Sequence, residues 1–154
     1  MTTIFYDMDN TLADFSLTNH NALEQMFEKG YFENLEPLMD IRVTIEILQK
    51  LGYEVVILSA CVDSEFCITE KIKWLNKYLP TITRENMVFT AVGEKKTDYV
   101  NPVGNVLVDD YGKNLNDWYN EGGIPVKFAS NDRTDRKCIF IRNHLEIFTK
   151  LEEF

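Results

Sequence analysis

Two aspartates, Asp7 and Asp9, stand one residue apart directly after the first apolar run of the chain, in "IFYDMDNTLADF" at residues 4–15. Other reactive side chains hold comparable places: Ser59 near the end of "EVVILSA", the pair Lys95 and Lys96 after "MVFTA", and Asp109 and Asp110 closing "NVLVDD". Carboxylates serve as nucleophiles or as general acids and bases, a lysine neutralises a developing anion, and a serine hydroxyl donates a hydrogen bond. Each feature alone has an ordinary explanation, since Asp and Asn commonly end strands in turns and adjacent lysines commonly face water. The "VLVDD" run is harder to dismiss. An apolar strand that delivers two adjacent carboxylates suffers desolvation and repulsion unless a cation or a donor compensates. The joint occurrence points to a site that holds a cation and performs chemistry.

The elements that must position these residues read as alternating strands and helices. "TIFY" at 3–6, "EVVILSA" at 54–60 and "NVLVDD" at 105–110 are short apolar runs, rich in β-branched residues, of the kind found in parallel strands covered on both faces. "MVFTA" at 87–91 predicts a further strand, and "PVKFA" at 125–129 an edge strand. Between the first two main strands, Val43, Ile47, Leu48 and Leu51 fall at helical spacing before Gly52. Between the second and third, Ile68, Ile72, Leu75 and Leu79 form a comparable stripe ending at Pro80. "KNLNDWYNEGG" predicts a short helix, and the tail "FIRNHLEIFTKLEEF" a last one. The pattern predicts an α/β fold, Rossmann-like, with a parallel sheet and helices on both faces. Residues 16–36 carry their own small helical pattern and predict a cap over the strand ends, where open α/β sheets bind ligands.

The chain has 154 residues, 45% of them hydrophobic and 27% charged, which fits one ordinary domain spanning residues 1–154. Sixteen basic residues against 25 acidic ones give a formal charge of −9, so the overall field repels polyanions and stable nucleic-acid binding is disfavoured. Cys61, Cys67 and Cys138 make no CxxC pair and an odd count, as expected in a reducing compartment. Neither a basic segment with a long apolar core after Met1 nor a membrane-length apolar run is evident. The expectation is a cytoplasmic protein without membrane association.

"DMDNT" at 7–11, Ser59 in "VVILS", Lys96 and "VDD" at 108–110 resemble, in order, the four motifs of the haloacid dehalogenase superfamily of phosphotransferases. The finer spelling, in "DMDNTLADF", "YFENLEPLMD", "EKIKW", "KKT" and "LVDDYGKNLNDW" followed by "GGIPVKF", is similar to the 5′(3′)-deoxyribonucleotidases and their bacterial and phage relatives. The resemblance implies a phosphomonoesterase that hydrolyses nucleoside monophosphates. Asp7 is then the nucleophile that forms an aspartyl-phosphate, and Asp9 the acid and base. Lys96, which precedes Thr97, is the motif lysine, with Lys95 as the alternative. Mg²⁺ is the implied cofactor, held by Asp7, Asp109 and the backbone carbonyl of Asp9; Asp110 stands behind them, with a direct role left open. Ser59 and Lys71 are implied phosphate contacts. Thr11 supports the active-site turn and joins the substrate-binding set. Phe15 matches an aromatic that stacks on the base, and Tyr31 or Phe32 lies near another such position.

The chain departs from these nucleotidases in three places. Asn10-Thr11 replaces their usual Gly-Val, Ala60-Cys61 replaces Ser-Pro, and the cap is shorter. A shortened cap leaves open a sugar phosphate or a polynucleotide 3′-phosphate as substrate. A non-catalytic nucleotide-binding protein is the rival of another class, and Asp9 argues against it, because binding alone does not require an acid there. Cys61 beside Ser59 invites a thiol mechanism, but neither His20 nor His144 is placed by a motif to serve it. A homodimer is compatible with the resemblance, and nothing in the chain requires one.

Overall fold

The computed structural model describes residues 1–15, 22–129 and 137–154. In chain order its regular elements are β1 (Thr3–Tyr6), α1 (Ala22–Gln25), α2 (Ile41–Lys50), β2 (Glu54–Cys61), α3 (Cys67–Tyr78), β3 (Met87–Ala91), β4 (Val106–Asp109), α4 (Gly112–Asn120), β5 (Ile124–Phe128) and β6 (Ile139–Ile141). The strands form one sheet in the order β3-β2-β1-β4-β5-β6, and every pairing is parallel. From β1 the chain runs outward through β2 to β3, then returns to β4 on the other side. The strand order therefore reverses between β1 and β4, where a crevice opens at the carboxyl ends.

Alternation along the strands gives the sheet two buried faces. Ile4 and Tyr6 of β1 point to the side covered by α2 and α3, packing with Ile45, Leu48, Trp74 and Leu75. Phe5 points to the other side, where Leu115 and Trp118 of α4 close over Val56, Leu58 and Leu107. Trp118 is fully buried and donates its indole N–H to the Asn105 carbonyl at 2.9 Å. Gly123 makes that fit, because a Cβ there would stand 2.2 Å from the Trp118 ring. The helix is thereby pulled tightly onto β4 and β5, so the strand that ends in Asp109 has a rigid backing.

Several expectations require correction. Leu48 is buried, but Val43, Ile47 and Leu51 face water, and the inner arc of α2 is Ile41, Thr44, Ile45 and Leu48. At 100° per residue the outer arc sweeps in Lys50, whereas the inner one carries no charge, so the uncharged arc is the one buried. In α3, Leu75 and Leu79 are buried as expected, yet Ile68 is exposed and Glu70 and Lys71 take the interior. The tail is not one continuous helix: it supplies β6 and then 3₁₀ helices at His144–Thr149 and Leu151–Glu153. β6 takes the sheet edge, so β5 is an interior strand rather than the predicted edge. Residues 16–21 of the predicted cap lie outside the described residues; of its helical pattern, the described part forms the short α1. Among the described residues no helix is long and apolar enough to cross a membrane.

Candidate active site

Asp7 is the first residue beyond β1, and its N–H bonds to the Val108 carbonyl at 2.9 Å, locking the end of β1 to β4. The chain then wraps around the buried Met8, whose carbonyl accepts N–H groups from Thr11, Leu12 and Ala13 at 3.2, 2.8 and 2.9 Å. Asn10 makes this tight wrap in the left-handed region, at φ 59°. That conformation is readily available to glycine and, among other residues, most readily to Asn and Asp. The Asn that departs from the resembled Gly therefore meets the same backbone demand. Its side-chain oxygen also accepts the Phe15 N–H at 2.9 Å, fixing where the turn leads next.

Two buried lysines divide three of the four carboxylates between them. Lys96 Nζ bonds to Asp7 Oδ1 at 2.7 Å and Asp109 Oδ2 at 3.0 Å. Lys71 Nζ bonds to Asp9 Oδ2 at 2.8 Å, Ser59 Oγ at 2.9 Å and the Ala60 carbonyl at 2.8 Å, so all three ammonium protons are used. Burial pulls against the charge of both lysines, and their neighbours, Asp9 with Cys61 and Cys67 at Lys71 and Asp7 with Asp109 at Lys96, more than restore it, leaving each pKa above the ordinary lysine value. Thr11, fully buried, turns its hydroxyl to Asp7 Oδ2 at 3.3 Å and Asp110 Oδ1 at 3.4 Å. Asp109 also accepts the Tyr111 N–H at 2.9 Å and the Asn114 amide at 3.0 Å.

The site still has more negative than positive charge. Burial and then the Asp7 charge push Asp109 up to about 6; burial, then Asp7 and Asp109, push Asp110 up to about 8. Oxygen atoms of Asp7, Asp109 and Asp110 lie within 4.8 Å of one another. A compact all-oxygen donor set with unrelieved repulsion suits a hard divalent cation such as Mg²⁺. Asp9 stands apart from this cluster. Its side chain is 29% exposed, Oδ2 is held by Lys71, and Oδ1 has no hydrogen-bond partner. Burial raises the Asp9 pKa, with Lys71 opposing and Asp7 adding to it.

The structure thus brings Asp7, Asp9, Thr11, Ser59, Lys71, Lys96, Asp109 and Asp110 to one site, in a network of two hydrogen-bonded parts: Asp7, Thr11, Lys96, Asp109 and Asp110 in one, and Asp9, Ser59 and Lys71 in the other. Lys95 is exposed and forms no part of it. Phe15 is half-buried beside the network, its ring centroid 5.5 Å from Tyr31 and 6.1 Å from Phe32. Phe32 is buried, with Lys71 Nζ 4.8 Å from its ring centre, so Tyr31 and Phe15 carry the accessible aromatic surface. The Cys61 thiol hydrogen-bonds to Cys67, which together with burial pushes its pKa far up and removes it from nucleophilic duty.

Sequence reasoning missed two contributors. Asn114 lay within a quoted motif, one helical turn after Asp110, and that spacing was the signal. His144 had no local signal. It is buried, stacks on Phe128 with ring centroids 4.4 Å apart, and donates from Nε2 to the Thr11 carbonyl at 2.6 Å, across 133 residues. Burial lowers its pKa to about 4, so the ring is neutral with its proton on the nitrogen that faces the carbonyl.

Solved structures place the architecture among haloacid dehalogenase-like hydrolases. A haloacid dehalogenase-like family hydrolase from Xanthomonas campestris is similar with a TM-score of 0.68 at 9% identity, covering 99% of this chain and 91% of that one. A dehalogenase with an intermediate complex gives 0.71 at 12%, covering 98% and 97%. The D,D-heptose 1,7-bisphosphate phosphatase from B. bronchiseptica, complexed with magnesium and phosphate, gives 0.69 at 11%, covering 99% of both. No curated protein matches the chain. The family model described as 5′ nucleotidase, deoxy (pyrimidine), cytosolic type C protein (NT5C) matches residues 18–146, well over half of the chain. The chain belongs to that family, and is a hydrolase of phosphomonoesters with the haloacid dehalogenase fold.

Proposed function

We propose that the protein hydrolyses nucleoside monophosphates, deoxyribonucleotides foremost, to nucleoside and inorganic phosphate. The observation that carries this reading is the division of labour between two carboxylates on one turn: Asp7 joins the acidic cluster and Lys96, while Asp9 turns away to Lys71 with one oxygen unengaged. In the proposed reaction an Asp7 carboxylate oxygen attacks phosphorus and the bond from phosphorus to the nucleoside oxygen breaks, as Asp9 delivers its proton to that oxygen. Water then attacks the aspartyl-phosphate, Asp9 takes the water proton back, and the bond between phosphorus and Asp7 breaks to free phosphate. Lys96 and the Ser59 hydroxyl face the charge that spreads over the phosphoryl oxygens. Asp7, Asp109 and Asp110 would hold Mg²⁺, with the Asp9 carbonyl as a further ligand, and the ion would supply positive charge to the transferring group.

The small segment between β1 and α2 serves as a cap that selects the substrate, with Phe15 and Tyr31, their rings set edge to face at 76°, offering aromatic surface for a base. The test is phosphate release with Mg²⁺ from deoxy- and ribonucleoside monophosphates, both 5′ and 3′, alongside sugar phosphates and an oligonucleotide 3′-phosphate. Turnover concentrated in the nucleoside monophosphates supports the proposal. A preference for sugar phosphates or the oligonucleotide overturns its substrate assignment, and no release from any of them overturns the enzyme.

A further inference from the structure

Glu70 is a buried carboxylate that the proposed chemistry does not use. It sits in the first turn of α3 at 3% exposure, one residue before Lys71. A buried carboxylate is costly unless its charge is met by donors. Here the donors come from the backbone of the cap segment: Gly30 N–H reaches Oε2 at 2.8 Å, and the N–H groups of Phe32 and Glu33 reach Oε1 at 3.2 and 3.3 Å. Gly30 at φ 90° lets the chain turn so that these groups converge, and Asn34 clamps the same turn by donating to the Gly30 carbonyl at 2.7 Å. One helical turn further along α3, the Trp74 indole donates to the Leu35 carbonyl at 2.8 Å. Thus α3 holds the cap with Glu70 and Trp74 while Lys71 holds Asp9 and Ser59.

The turn that Glu70 grips carries Tyr31 and Phe32. Tyr31 meets both Phe32, at 5.1 Å between ring centres, and Phe15, at 5.5 Å. We infer that Glu70 is a positioning residue for substrate selection: by fixing the backbone of residues 30–33 it holds the aromatic surface at the distance from Asp9 that a nucleoside requires. The inference rests on the nucleotidase reading and adds to it a determinant outside the reacting groups. Loss of the carboxylate should loosen base recognition and leave phosphoryl transfer intact.

The experiment compares wild type with Glu70→Gln on a deoxyribonucleoside 5′-monophosphate and on glycerol phosphate, which has no base, together with thermal melting. Gln keeps the size of Glu but presents an amide N–H where a second acceptor is needed. The expected result is a KM for the nucleotide raised on the order of fivefold to tenfold, the scale of one net hydrogen bond, with kcat nearly unchanged and glycerol phosphate turnover unaffected. Gly30→Ala, which strains the same turn and brings a Cβ to 3.0 Å from the Asn34 amide, should reproduce the KM effect if Glu70→Gln fails to fold. Equal losses on both substrates, or none on either, overturn the positioning role. Wild type that favours nucleotides while Glu70→Gln keeps that preference refutes this inference alone; wild type that shows no such preference refutes the nucleotidase reading and this inference with it.

Discussion

The ends of β1 and β4 and the cap segment are built by different means. At the strand ends, Asp7 follows the buried Ile4–Tyr6 of β1 and Asp109 closes the fully buried β4; the two are crosslinked by one lysine at 2.7 and 3.0 Å and have a tryptophan-anchored helix behind them. Among its described residues the proposed cap has only the four-residue α1, and backbone groups of the segment are gripped by side chains of α3. Rigid backing suits groups that must meet a transition state within a fraction of an ångström. A segment held by a few hydrogen bonds suits recognition, where a change in shape alters which molecule fits. On the proposed reading the difference teaches that chemistry and selection are separable, and substitutions in the two regions should split accordingly.

The largest effect should come from Asp7→Asn, which removes the proposed nucleophile and should lower kcat on every substrate by on the order of 10⁴-fold or more, measured as phosphate release. Full activity in that variant would dissolve the distinction between the regions. Lys96→Met should follow, because it leaves Asp7 and Asp109 facing each other without their shared counter-charge. Breaking such a buried pair costs about 3–5 kcal/mol, visible in denaturant unfolding, and the lost electrostatic help should cut kcat by about 10²–10³-fold. Phe15→Ala should leave kcat alone and weaken nucleotide binding by about 1–3 kcal/mol, read as a raised KM for nucleotides and no change for glycerol phosphate.

The smallest effect probes a contact that reaches the rigid region from far along the chain. His144→Phe keeps a ring to stack on Phe128 but removes the donor to the Thr11 carbonyl. A hydrogen bond of this kind contributes about 0.5–1.5 kcal/mol, so kcat should fall roughly threefold to tenfold with KM unchanged, and His144→Gln, which restores an N–H, should recover part of it.

The two regions were also unequally legible in the sequence. β1, β2, β3 and β4 announced themselves as short apolar runs, and the groups at their ends were visible because Asp, Ser and Lys are conspicuous there. Helical spacing alone misjudged α2, since both of its arcs are apolar and only Lys50 distinguishes them. In α3 the interior goes to Glu70 and Lys71, which a hydrophobic pattern assigns to water; their partners, the turn at residues 30–33 and Asp9, lie some forty and sixty residues away. The tail misled for a related reason, because β6 gains its strand character only by pairing with β5. Contacts between distant segments decided the cases of α3 and the tail.

The claim that the strand ends transfer phosphate while the cap selects a nucleoside is tested most directly by one ratio: kcat/KM for a deoxyribonucleoside monophosphate over kcat/KM for glycerol phosphate, measured on wild-type protein with Mg²⁺. The account predicts a ratio well above ten, in line with about 1–3 kcal/mol of base stacking and the further contacts of the sugar. A ratio near one, with both substrates turned over, would contradict it.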